Sequence, residues 1–398
     1  MPSSEQNLEQ NIPSTVYFNI KTTKYKNMKS NDEILEEIKL YKSIQKPTYK
    51  RYKTNIKQYS SFNGMTMHEL IQEAEKEEES GIILKKRTVK KRLMAFQQSL
   101  VEKKLENSTI ISKMSLIKAV YHFYEITLPK LPSITNNHYE TIDDIVTNED
   151  IKKALLNCKF TETQAIIMFM ASSGTAINEA SRLTIYDFLK ATETYHKQKN
   201  FDNPRQIIKK LEDFDDIVPC FNLIRYKTHY PYYTFCTPEA TKKIIQMLKE
   251  RYRYKPIVLD DRLFGASDRA IIKRFSRLND RCNFGWKKNS RFFHSHNLRK
   301  YFITTCFNEG LDYVSIEFMV GHKLDPVKAA YIKANPEKQR KKYMAFMNNL
   351  TFFDKVMYND INSKEKLELE SLRDYKIRTE ARIAKMESML SLLDDLKL

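Results

Sequence analysis

Glycine is scarce in this chain of 398 residues, at 7 in all, and neither GxxxxGK(S/T) nor GxGxxG occurs. Phosphate-cradling loops of the P-loop and Rossmann types need those glycines, so both enzyme classes are excluded. Cysteine is sparse as well: Cys158, Cys220, Cys236, Cys282 and Cys306 are odd in number and form no C-x-x-C pair. A zinc ribbon or disulfide framework is therefore not indicated, and reduced, buried thiols are expected. The longest apolar run, Ala165 to Ala171, is far shorter than the roughly 20 residues a bilayer span requires. The opening MPSSEQNLEQ lacks the apolar stretch of a signal peptide. The expectation is a cytoplasmic protein with no membrane partner.

Negative charge is the other shortage. Lys plus Arg number 68 against 50 Asp plus Glu, for a formal charge of +18 and a pI near 9.4. Such an excess calls for a polyanionic partner, and nucleic acid is the default. From Tyr41 to His68 not one acidic residue occurs, while Lys42, Lys46, Lys50, Arg51, Lys53 and Lys57 alternate with Tyr41, Tyr49, Tyr52 and Tyr59. Lysines and tyrosine hydroxyls both bond phosphate oxygens, so Lys50, Arg51 and Lys53 are candidate DNA contacts.

Residues 1–30 are polar and expected to be disordered. A helical DNA-binding domain is expected over 31–132. Within it Val89, Leu93, Phe96 and Leu100 form one apolar stripe. Met114, Ile117, Val120, Tyr121 and Tyr124 form another, with Ser108-Thr109 as N-cap. The stripes are core; the cations around the first, Lys85, Lys86, Arg87, Lys90 and Lys91, are the candidate DNA face. A polar linker is expected over 133–146. A second domain, 147–357, opens on the capping box Thr-Asn-Glu-Asp and continues in a helix over 162–172. The β-branched and aromatic runs Phe221–Arg225 and Tyr230–Phe235, around Lys227-Thr228-His229, predict a β-hairpin. Thr237-Pro238 starts a further helix. In the last segment, 358–398, Leu369, Leu372, Lys376, Thr379, Ile383, Met386, Leu390 and Leu393 fit an a/d heptad. That predicts either a coiled coil joining protomers or a helix docked on its own domain.

The most informative stretch is Ser295-His-Asn-Leu-Arg299, with Gly321-His322 and Tyr331 after it. Ser295 is positioned to cap a helix running to about Asn308, on which His296 and Arg299 are three apart and share a face. A second helix ends at Gly321, and Asp325-Pro326 caps a third that carries Tyr331. An arginine clamps phosphate oxygens, histidines donate hydrogen bonds or move protons, and a phenol can attack phosphorus. No metal and no cofactor is called for.

The joint spacing, H-x-x-R, then 23 residues to the Gly-His histidine, then 9 to the tyrosine, resembles the tyrosine recombinase (phage integrase) family. The wording HNLRKYF, MVGHKLDPVKAAYIKANP and RYKTHYPYYTFCTPEA looks most like integrases of archaea and their mobile elements. The resemblance covers about 147–350 strongly and 31–130 only in general form. It implies a mainly α fold with a small β-hairpin: a helical core-binding domain and a catalytic domain, forming a two-domain clamp on duplex DNA. It implies Tyr331 as nucleophile, making a 3′-phosphotyrosyl link. Arg299 and His322 would hold the non-bridging oxygens, His296 would accept or donate a proton, and Lys227 would act as general acid. Tyr343 is the rival nucleophile. The protein would act on its recombination site as a homo-oligomer, a tetramer, associated with the nucleoid.

One position departs from the family. Its first arginine sits in a pattern like T-G-L-R-x-x-E-x-x-x-L, and Ser173-Gly-Thr-Ala-Ile-Asn-Glu179-Ala-Ser-Arg-Leu183 matches with Ala176 in the arginine's place. Three explanations fit. The position is an engineered change, or another cation substitutes, with Arg182 the nearest candidate, or strand cleavage is lost and DNA binding kept. Arg182 lies roughly 9 Å further along a helix at 1.5 Å per residue, so a surface salt bridge suits it better. The sequence thus points to a site-specific DNA recombinase, with a catalytically silent DNA-binding or synapsis factor and a type IB topoisomerase as alternatives. A metal-dependent DDE transposase fits least, since no acidic triad stands out.

Overall fold

The computed structural model describes residues 29–135, 141–287, 290–333 and 335–353. The expected N-terminal tail, apart from residues 29 and 30, and the heptad of 358–398 lie outside the described residues. The chain divides into two compact units, Met1–Tyr139 and Glu140–Leu398. Among the described residues the architecture is mainly α, with two small two-stranded antiparallel sheets. No described helix is long and apolar enough to cross a membrane.

The first unit is a helical bundle: α1 (Asn31–Lys42), α2 (Lys46–Asn63), α3 (Met67–Glu79), α4 (Thr88–Glu102) and α5 (Asn107–Phe123). Ser30 with Glu33 and Thr66 with Glu69 close capping boxes that start α1 and α3. The predicted stripe Val89, Leu93, Phe96 and Leu100 is buried on α4. On α5, Met114, Ile117, Val120 and Tyr121 are buried, whereas Tyr124 is the C-cap. The cap at its other end differs from the prediction: Glu106 precedes the helix, and its carbonyl accepts from Thr109 and Ile110 N–H groups. Ser108 and Thr109 therefore sit inside the first turn. The chain after Pro132 stays tied to this bundle, since Asn107 donates to the Thr135 carbonyl at 2.8 Å.

The second unit begins with α6 (Asn148–Leu156), whose cap Thr147 accepts from the Asp150 N–H as predicted. Next comes α7 (Thr161–Ser173), buried from Ala165 through Ser173 on every side. A helix apolar all round belongs at the centre of a core. Accordingly α12 (Pro238–Arg251) and α14 (Ser295–Asn308) both pack on it. Between lie the short helices α8 (Ile177–Ala180), α9 (Ile185–Ala191), α10 (Glu193–His196) and α11 (Pro204–Leu211). The predicted hairpin is β1 (Cys220–Ile224) and β2 (Pro231–Phe235), each strand within a residue of expectation, with Leu223 opposite Tyr232. Thr237 caps α12, accepting from the Ala240 N–H. After α13 (Asp268–Arg281), β3 (Trp286–Lys287) and β4 (Ser290–Arg291) pair as a second ribbon. Beyond α14 come α15 (Tyr313–Met319), α16 (Pro326–Lys333) and α17 (Pro336–Phe346).

Gly174 ends α7 in the left-handed region, at φ +65°, with the Phe302 ring of α14 pressed against its Cα. Any side chain there meets both a strained backbone and a buried aromatic ring. Gly174→Ala should lower folding stability by about 2–4 kcal/mol, the sum of conformational strain and overpacking. Urea unfolding measures it, and an unchanged midpoint would contradict this packing.

Candidate functional site

Arg299 is the centre of the site. It sits on α14 within the first two turns and is only 3% exposed. A buried guanidinium needs acceptors, and this one has two: the Gly174 carbonyl takes Nη1–H at 2.9 Å, and His322 Nε2 takes Nη2–H at 2.9 Å. The left-handed turn at Gly174 supplies the first, because it ends α7 and leaves that carbonyl outside the helix ladder. Burial, and after it the charge of Arg225, push the Arg299 pKa down to about 10. The guanidinium remains a cation near neutral pH, in a place short of negative charge.

His322 follows Gly321, which closes α15 at φ +73° with the Tyr232 ring packed against it. Guanidinium groups only donate, so Nε2 of His322 must be the acceptor. Its Nδ1 then carries the proton and donates to Glu317 at 2.8 Å. Glu317 thus fixes both the tautomer and the ring plane.

Tyr331 lies on α16 and is 79% exposed. Its neighbour Ile332 is anchored, since the buried Tyr233 hydroxyl of β2 donates to the Ile332 carbonyl at 2.6 Å. Asp325 starts this helix by accepting from the Val327 N–H, as the sequence suggests. His296 is exposed one turn before Arg299, so the two differ in burial although they are three apart. The helix cap is His294 instead of Ser295, which is the first helical residue. Lys227 stands exposed at the tip of the hairpin, in a loop closed by the Arg225 N–H to Tyr230 carbonyl bond at 2.8 Å. The structure therefore joins Arg299 to His322 directly and holds Tyr331, His296 and Lys227 at the surface.

Two alternatives are corrected. Tyr343 is 1% exposed and donates to the Ser172 carbonyl at 2.8 Å, with its ring 5.5 Å from Phe235. It is a core residue, because α17 turns this face inward against α7. Arg182 makes a different contact from the surface salt bridge expected of it. Its guanidinium lies over the Tyr226 ring, 3.8 Å from the centroid.

Ala176 is the cap residue of α8 and is partly buried. The same short helix carries Glu179, which holds a cation from the hairpin. Arg225, at the end of β1, pairs through Nη1 with Glu179 at 3.0 Å. The second Glu179 oxygen accepts the Tyr226 N–H at 2.9 Å. Sequence reading missed Arg225 because it sits two residues before the more conspicuous lysine of the same turn. The available signal was Glu179 itself: a carboxylate buried to 6% exposure requires a cationic partner. Tyr232, opposite Leu223, has a buried hydroxyl with no hydrogen-bond partner among the described residues. Its pKa is raised by burial first and by Glu179 next, while Arg299 and Arg225 act to lower it.

The basic face of the first unit is mixed. Lys50, Lys85, Lys86 and Lys91 are exposed, and Lys90 partly so. Lys53 pairs with Asp32 at 2.9 Å and Arg51 bonds to Ser112, both at the surface. Arg87 does not belong to the face. It is 9% exposed, with Nε–H donating to the Ile82 carbonyl at 2.9 Å and Nη1 facing Glu78 at 3.0 Å. It clamps the loop before α4, which an isolated sequence pattern of five cations could not distinguish from the exposed residues.

Among the described residues no cluster of His, Cys, Asp or Glu could hold a metal ion. No family profile and no curated protein matches the chain. Solved structures do. XerA recombinase matches at 16% identity over 77% of this chain and 98% of its own, with a TM-score of 0.31. A lambda integrase dimer bound to a COC′ core site matches at 12% identity over 76% and 94%, with a TM-score of 0.46. XerH site-specific recombinase bound to difH substrate, before cleavage, matches at 14% over 82% and 90%, with a TM-score of 0.45. The chain is similar to these recombinases and integrases.

The bonding around His322 has a spectroscopic consequence. Two-bond ¹H–¹⁵N spectra of the DNA-free protein should place the proton of the neutral ring on Nδ1. Glu317→Ala should populate the other tautomer. A wild-type ring protonated on Nε2 would contradict the Arg299–His322 bond.

Proposed function

We propose that the protein is a site-specific DNA recombinase or integrase, which cuts and rejoins a strand through a tyrosyl phosphodiester. The observation that supports this most is the buried Arg299 bonded to His322, with Tyr331 exposed on the next helix but one. A phosphodiester entering there takes over the donors of Arg299, whose planar fork matches two phosphate oxygens. The Tyr331 oxygen attacks phosphorus, the Tyr–O–P bond forms and the bond to the 5′ oxygen breaks. The phenolic proton passes to a base, for which His296 is the candidate. The departing 5′ oxygen takes a proton from Lys227. Rejoining reverses these roles. Bond energy is kept in the phosphotyrosyl link, so the reaction needs no nucleotide. Positioning and charge stabilisation of the transition state supply most of the rate.

The working assembly is a homo-oligomer, a tetramer on duplex DNA, acting on the nucleoid of the cytoplasm. Ala176 favours a second reading, a DNA-binding or synapsis factor that does not cleave. One experiment separates them. Incubation with a randomised duplex library, nicked once to prevent rejoining, should trap a covalent adduct that survives denaturation. Tyr331→Phe should abolish it and Tyr343→Phe should not, beyond any loss of folding. Absence of an adduct in the wild type would favour the silent factor.

Most affinity should come from phosphate contacts, so binding should fall steeply with salt. Reversing Lys85, Lys86 and Lys91 together to Glu should flatten that slope while leaving thermal stability near wild type. Arg87→Ala should do the opposite, costing about 1–2 kcal/mol of stability through the lost bond to the Ile82 carbonyl and the lost packing before α4. A normal salt slope in the triple variant would remove this face from the DNA contact.

A further inference from the structure

Two guanidinium groups near one another are unfavourable unless something negative joins them. Arg299 and Arg225 are such a pair: Arg299 holds the Gly174 carbonyl, Arg225 holds Glu179 five residues further along the same segment, and the charge of Arg225 is, after burial, the next influence lowering the Arg299 pKa. Arg299 spends its donors on a carbonyl and an imidazole, both neutral. Arg225 has one carboxylate, Glu179, held through a single terminal nitrogen of a group with five N–H donors. Both oxygens of Glu179 are already engaged, so that carboxylate orients Arg225 and does not bridge the cations.

Tyr232 adds an independent sign. Its hydroxyl is buried and has no hydrogen-bond partner among the described residues. The charges of Glu179, Arg299 and Arg225 all reach it. Its ring lies against Gly321, next to the imidazole that receives Arg299. A stranded buried hydroxyl is costly in a folded protein, and one held beside two cations is an O–H donor in want of an anionic acceptor.

We propose that Arg225 and Tyr232, from the two sides of one hairpin, complete with Arg299 a cradle for the non-bridging oxygens of the scissile phosphate. In this cradle Arg225 supplies the cation that position 176 lacks. The identity of the anion as a DNA phosphate rests on the recombinase reading above. The existence of an anion site at these three side chains does not.

The test therefore has two arms. In the first, DNA-free protein is titrated with sulfate and followed at the His322 ring resonances, which report on the site alone. Arg225→Gln and Tyr232→Phe should each raise the half-saturating sulfate concentration about tenfold, the loss expected for one hydrogen bond to a charged group. Tyr232→Phe should do so without lowering thermal stability, which a purely structural hydroxyl would not allow. Arg225→Lys keeps the pairing with Glu179 and guards against misfolding; it should fall between wild type and Arg225→Gln. Unchanged half-saturation in both Arg225→Gln and Tyr232→Phe overturns the cradle.

The second arm uses the duplex recovered from the nicked library, with either a normal phosphodiester or a methylphosphonate at the cut site. Arg225→Gln should slow adduct formation by about 10²–10³-fold on the diester, as for removal of one oxyanion donor. On the uncharged methylphosphonate it should come within about tenfold of wild type, because there is less charge to stabilise. An equal loss on both substrates would mean that Arg225 acts only through folding. A wild type that forms no adduct at all sinks the recombinase reading, and the sulfate arm still decides the cradle.

Discussion

One buried cation organises the second unit. The Arg299 guanidinium can be ionised at 3% exposure only if its donors are met. They are met by the end of α7 at Gly174 and by the start of the loop after α15 at His322. Three segments far apart in sequence are thereby held to one point. The steric requirement at Gly174 and the burial of α7 serve that convergence: without a tightly capped central helix the carbonyl would have no fixed position. Glu317 orients the His322 ring that receives the cation, and Glu179 orients Arg225 of the hairpin.

Much of this was legible in the chain. The apolar stripe of α4 is a periodic pattern, and periodicity survives folding because it is the reason for folding. Thr147, Thr237 and Asp325 were recognisable because a capping side chain acts on backbone two or three residues away. The hairpin was visible in its β-branched and aromatic runs. The caps of α5 and α14 came out one or two residues displaced, since Ser108, Thr109 and Ser295 are good caps whose place was taken by Glu106 and His294. Local propensity ranks candidates; tertiary packing chooses among them.

What was not legible shares one cause. Arg87, Arg182, Arg225 and Tyr343 are residues of abundant types whose meaning lies in a partner that no periodic pattern identifies, near in sequence for Arg87 and far for the others. Arg87 reads as one more cation in a basic run until Glu78 and the Ile82 carbonyl are seen to enclose it. Tyr343 reads as exposed among lysines until α17 is seen to press it onto Ser172. Arg225 sits 46 positions from Glu179, and only the hairpin geometry joins them. Ala176 looked like a defect when the motif was read alone. In space it caps the short helix whose Glu179 holds Arg225.

The bond from the Tyr233 hydroxyl to the Ile332 carbonyl ties the strand bearing Tyr232 to the helix bearing Tyr331. Strand β2 thus reaches two neighbourhoods from adjacent residues: the Tyr232 ring packs against Gly321, and the Tyr233 hydroxyl reaches the Ile332 carbonyl. One hydrogen bond thus links the hairpin to the helix that carries Tyr331, across 99 positions of sequence.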